Sequence, residues 1–333
     1  MSHDVDHRGI WQALVADGRP VLTLVGCCLI LSGGFALFVA SMGQFLPHDV
    51  AFLGMTEKDL CAINECRIVH FMEHDRASFG GVLIAIGLLY LWLAEFPLRA
   101  GHAWAWWTLV ASGVVGFASF LCYLGYGYLD TWHGIATLAL LPWYLLGMFQ
   151  SGRRLPSLAV NLRAPTARRQ WTSAAALGRW SLLAMSLGIV GAGLTIQTVG
   201  MTSVFVPQDL DYMGLTVARL QEINPRLVPL IAHDRAGFGG GLASGGIVLF
   251  LMNWFARPSR SLWQIQALAA GIGFTCAIGV HPAIGYTNFL HLLPAYTGAA
   301  LLLIGLTLTR RACFMTEQAI SPISPGKAPE VVA

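Results

Sequence analysis

The chain has 333 residues, of which 56% are apolar and only 11% charged, with a mean hydropathy of +0.63. A soluble domain ordinarily carries about 25% charged residues, so a water-facing surface of that kind is excluded. The net charge of +3 implies nothing about nucleic acid, because the basic residues, with lysine only at 58 and 327, fall in short loops rather than on one face, and no nucleic-acid partner is expected.

A transmembrane helix needs roughly 20 apolar residues to cross a hydrocarbon core of about 30 Å. Eight runs meet that requirement, at 21–42, 77–96, 104–124, 133–150, 180–201, 236–256, 263–281 and 289–309. The polar residues before the first run, and its length, mark it as a span rather than a cleavable signal. Pro97, Pro258 and Pro282 are expected just past the ends of spans, where helices stop. Gly80, Gly81, Gly87, Gly241 and Gly245 are small residues that let neighbouring helices approach. The expected organisation is a first four-helix unit over 1–150, a cytoplasmic linker over 151–179, a second unit over 180–312 and a disordered cytoplasmic tail over 313–333.

The two units share a pattern. Between 45–81 and the segment 205–240 there are 17 identities, at an offset of 160 that drops to 159 after one deletion. They include Asp49/Asp209, Gly54/Gly214, Thr56/Thr216 and Asn64/Asn224, then His74-Asp75-Arg76-Ala77 with His233-Asp234-Arg235-Ala236. An offset of 158 then pairs Tyr128 with Tyr286 and His133 with His291. Four spans per unit is an even number, so the two copies run in parallel. The fold class expected is therefore an all-α membrane protein of about eight spans, as two parallel tandem four-helix repeats capped by two homologous outer loops. Of the 20 basic residues, all but Lys58, Arg67, Arg76, Arg219, Arg226 and Arg235 fall on the side of the termini, which puts both termini in the cytoplasm.

Phe-Leu-Pro-His-Asp-Val at 45–50, Leu-Gly-Met-Thr at 53–56 and His-Asp-Arg-Ala-x-Phe-Gly-Gly at 74–81 resemble a family of bacterial multi-pass membrane proteins. The resemblance runs through most of the first half, including residues 90–99. It supports the membrane reading, and the expected location is the bacterial inner membrane. No activity is assigned to the family, so it supplies no chemistry.

The His-Asp-Arg triplets are expected where the second helix of each unit enters the membrane from outside. In a structural role, Asp75 and Asp234 would cap helix N-termini. Arg76 and Arg235 would pair with the loop acids Asp49 and Asp209. In a functional role, His74 with His133, and His233 with His291, would face each other across one bundle and hold haem b or a transition metal. His48 and His70 lack counterparts in the second loop, and His281, which also lacks one, reads as structural. Cys61 and Cys66 share a polar outer loop, where a disulfide is expected.

No Walker motif, dinucleotide fingerprint, nucleophile elbow or His-Glu-x-x-His occurs. Only Glu95 brings a carboxylate near a span interior, which argues against a proton-coupled transporter. Three readings follow. The first is a redox or cofactor protein linked to a quinone or an outer-side protein partner. The second is a permease for a neutral solute with its path between the repeats, lined by groups such as Ser244 and Asn253. The third is an assembly subunit of a membrane complex.

Overall fold

The structure is a computed structural model that describes residues 10–119, 121, 127, 128, 131–162 and 173–315. These residues are helical, with no strand among them. In chain order the helices are α1 (Ile10–Val15), α2 (Arg19–Met42), α3 (Pro47–Leu53), α4 (Glu57–Asn64) and α5 (Arg67–Leu93), which continues as a π turn over Ala94–Leu98. There follow α6 (Ala103–Ser119), α7 (Thr131–Arg154), α8 (Ala174–Met201), α9 (Pro207–Met213), α10 (Val217–Ile223), α11 (Leu227–Phe255), α12 (Arg260–Ile284) and α13 (Phe289–Met315). Seven of them, α2, α5 with its π turn, α7, α8, α11, α12 and α13, are long and apolar enough to cross a membrane. The shorter α6, of 17 residues, covers most of the expected third span. Of the remainder of that span only Leu121 is described.

Several boundaries differ from expectation. Helix α5 begins at Arg67 rather than 77, and α11 at Leu227 rather than 236. Hydropathy stops at the charged triplet, but packing does not: Ile68, Val69, Phe71 and Met72, and likewise Leu227, Leu230 and Ile231, are buried beneath the loops. Pro97 lies inside the π turn and Pro282 inside α12, so of the three prolines only Pro258 follows a helix end. The linker is shorter than 151–179, because α7 runs to Arg154 and α8 starts at Ala174; residues 163–172 lie outside the described set. Helix α13 reaches Met315, and the rest of the expected tail lies outside the described residues.

Helices α5 and α11 are the most deeply buried and pack against each other at the centre. Helix α2 crosses α5, and α8 crosses α11, at glycines. A Cβ added at Gly33 would sit 2.5 Å from the Gly80 carbonyl oxygen, and one at Gly193 would sit 2.7 Å from that of Gly239. Close backbone approach of this kind is a main source of helix association in lipid, where no hydrophobic drive exists between helices. Helix α6 packs on α11 and α12 on α5, so the two halves interleave. Tyr90, Ser112 and Ser244 tie α5, α6 and α11 together through 2.9 and 2.8 Å hydrogen bonds. Asn253 bonds the Leu249 carbonyl of its own helix, so the neutral polar groups of the interior join helices or satisfy backbone. Leu31, Phe35, Leu138, Leu187 and Leu303 point outward and exposed. An apolar exterior of that extent is a lipid-facing surface.

The two loops form one cap. Helices α3 and α9 each open on a proline, with Asp49 and Asp209 accepting from the backbone N–H of Leu46 and Val206. Helices α4 and α10 are N-capped by Thr56 and Thr216. Asn64 donates to the Met213 carbonyl and Asn224 to the Leu53 carbonyl, at 3.2 and 2.8 Å, so each loop closes on the other. Leu60 and Leu220 are fully buried in the shared apolar cluster beneath. Cys61 and Cys66 are joined as a disulfide.

Candidate functional site

Both triplets lie about two turns inside their helices, since the N-caps are Cys66 and Arg226. Asp75 and Asp234 therefore do not cap helix N-termini; the helices extend past them under the cap. Their partners are the arginines of the opposite helix. Arg76 binds Asp234 at 2.9 Å and Asp49 at 2.9 Å. Arg235 binds Asp75 at 3.1 Å and Asp209 at 2.7 Å, and donates to the Val204 carbonyl at 2.8 Å. Each guanidinium thus joins the loop of its own half to the central helix of the other half. Tyr128 donates to Asp49 at 2.5 Å and Tyr286 to Asp209 at 2.8 Å. Asp49, Asp75, Asp209 and Arg235 are 5% exposed or less, so these charges depend on one another to offset desolvation.

The histidines do not pair as expected within one half. Because α6 rests on α11 and α12 on α5, the histidine opening each following helix faces the other half's centre. His133 meets His233, Nδ1 to Nε2 at 3.1 Å. His74 meets His281 and His291, with ring centroids 4.4 and 5.8 Å away. The pairings His74 with His133 and His233 with His291 are replaced by this exchange. A haem b would need the iron and the porphyrin plane between the two ligating nitrogens, and both close pairs are instead in direct nitrogen–nitrogen contact at 3.1 Å.

His281 is the residue the sequence passed over. It had no counterpart, since the 158 offset places Tyr123 opposite it. The available signal was that an ionisable residue at the end of an apolar run is a functional candidate by default.

The three rings of His74, His281 and His291 can each present one nitrogen such that all three lie within 4.8 Å of one another. Each ring is oriented from behind. The Nδ1 of His74 bonds the Asp75 carboxylate at 3.0 Å, and that of His281 the Ala277 carbonyl at 2.7 Å. The Nδ1 of His291 lies 3.1 Å from the Tyr286 hydroxyl. Burial, and then the Asp209 carboxylate, push the Tyr286 hydroxyl above its ordinary range, so it stays protonated. Its proton goes to Asp209, and its oxygen accepts from His291. All three Nδ1 atoms are therefore donors, which leaves the Nε2 lone pairs as ligands. Yet Nε2 of His74 and Nε2 of His281 stand 3.1 Å apart. Two lone pairs at that distance need a positive charge between them, either a proton on one ring, which makes the contact an N–H···N hydrogen bond, or a metal ion. A metal with nitrogen ligands at about 2.0–2.1 Å in tetrahedral geometry places neighbouring nitrogens about 3.3 Å apart.

No family model matches the chain, and neither a curated protein nor a solved structure matches it.

Proposed function

We propose that this is a multi-pass protein of the bacterial inner membrane that binds a first-row transition metal through His74, His281 and His291 and serves redox chemistry. The observation that carries the reading is the convergence of three imidazoles whose Nδ1 atoms are all engaged as donors, with two Nε2 atoms 3.1 Å apart. A carboxylate, a carbonyl and a hydroxyl behind the ligating rings form the second shell that metal-binding histidines use to fix tautomer and orientation. Imidazole suits zinc, copper, iron and nickel, and of these copper and iron carry electrons. Three protein ligands leave a coordination position open for an exogenous molecule. Neutral imidazoles bring no charge, but Asp75 and Asp209 against the single Arg235 leave the surroundings one negative charge in excess, which favours a cation.

The topology proposed with it is eight spans in two parallel repeats, with α6 completing the third and both termini cytoplasmic. The basic residues at 99, 153, 154, 179, 257, 310 and 311 support that orientation, because they gather at the helix ends away from the cap. The cap and the histidines then face the outer side, where the Cys61–Cys66 disulfide would be maintained.

The test is metal content per chain, by mass spectrometry, of protein purified without added metal. About one copper or iron per chain supports the reading; His291→Ala should remove most of it. Zinc at the same stoichiometry would keep the site and reject redox chemistry. A folded chain that stays metal-free after loading would reject both.

A further inference from the structure

Beside the Arg76 network lies a cavity of about 680 Å³ between α2, α5, α6, α7 and α11. That is within the roughly 300–1,000 Å³ of small-molecule pockets. Its walls are almost wholly apolar, and its rim includes Leu31, Phe35 and Trp132, all exposed on the outside of the bundle. It is therefore reached from the lipid. One region is different: His133 and His233, in contact at 3.1 Å, line it together with Asp234, Arg76 and Asp75. Of the hydroxyls further along, Ser119 is committed to the Gly116 carbonyl and Tyr90 and Ser244 to Ser112, while Ser32 and Thr137 are isolated polar groups on apolar walls. The charged and imidazole groups gather at the histidine end, so a ligand's polar atoms fit there and its apolar body fills the rest.

We propose that this cavity binds a lipid-soluble quinone, with one ring carbonyl at the His133–His233 pair and its hydrocarbon tail directed to the lipid. An acyl chain would use the walls and ignore the imidazoles. A small ring bearing carbonyl acceptors on a long apolar tail uses both. Asp75 lines this cavity and also holds Nδ1 of His74 at 3.0 Å, so the ring would sit one side chain away from the three-histidine cluster. The inference rests on the membrane reading above and names the molecule that would approach the metal; binding itself requires no metal at the cluster.

The test is calorimetric binding of a decyl-substituted dimethoxy-methyl-benzoquinone to the full chain in detergent micelles, with decylbenzene as the probe lacking carbonyls. The quinone should bind, and decylbenzene about tenfold more weakly or not at all, the size of effect expected for a lost hydrogen bond. His133→Gln should keep the fold and weaken quinone binding by about tenfold, and Ala136→Phe, which fills the cavity, should weaken both probes. His281→Ala, outside the cavity, should leave quinone affinity within about twofold whether or not metal is bound, so a failed metal site and a failed cavity give different results. Equal affinity for the two probes, or no effect of His133→Gln and Ala136→Phe, would overturn the proposal.

Discussion

The two charge networks at the centre are built alike and surrounded differently. Around Arg76 stand Asp49, Asp234 and Tyr128; around Arg235 stand Asp209, Asp75 and Tyr286, with the same roles and closely similar distances. What differs is the imidazole layer. The Arg235 network carries the clustered His74, His281 and His291, while the Arg76 network carries the pair His133 and His233, has His48 apart from them at 3.6 Å from Asp49, and opens on an apolar cavity. The two networks share the charges that lock loop to helix and differ in what is attached to them. The charges hold the fold together, and the proposed chemistry is assigned to the histidines.

That division predicts a graded series. The largest effect is on stability. Arg235→Ala leaves Asp75 and Asp209 buried without their cation, which should cost about 3–5 kcal/mol and show as loss of folded protein in size-exclusion and thermal-unfolding measurements. Arg76→Ala should behave similarly; a variant of either arginine with wild-type stability would break the equivalence of the networks. Next comes Asp75→Asn, which keeps the volume but weakens the orientation of His74. Metal affinity should fall about 10–100-fold, with the fold retained, in competition titrations against a chelator. Asp234→Asn, in the Arg76 network and away from the three-histidine cluster, should leave metal affinity unchanged.

The metal's dependence on pH sharpens the same contrast. A bound metal displaces protons from its ligands, so acid competes with it. Occupancy should therefore fall as the pH is lowered. His133→Ala should not shift that dependence. The smallest effect is at the cap. Thr56→Ala removes the side-chain acceptor for the Asp59 N–H and should cost about 1 kcal/mol in thermal unfolding, without touching metal content.

Much of the frame is legible in the chain itself. Apolar length locates most of the spans, and the matching residues of 45–64 and 205–224 mark the two corresponding loops. The expectation that Arg76 and Arg235 reach Asp49 and Asp209 follows from charge in a dry setting. Three things were not legible. The triplets sit inside α5 and α11 because buried Phe71 and Met72 extend the helix past the point where hydropathy falls. The interleaving of α6 and α12 leaves no trace, since an apolar run says that it meets lipid or helices and not which ones. His281 lacked a counterpart, and comparison of two copies discards what only one copy has. That filter hid the residue on which the asymmetry turns.

The central claim is that three imidazoles share one metal ion, and X-ray absorption at the metal edge of the purified protein tests it most directly. The account predicts a first shell containing three imidazole nitrogens at about 2.0–2.1 Å, lost in His281→Ala and retained in His133→Ala. A shell of oxygen or sulfur ligands, or a spectrum unchanged by His281→Ala, would contradict it.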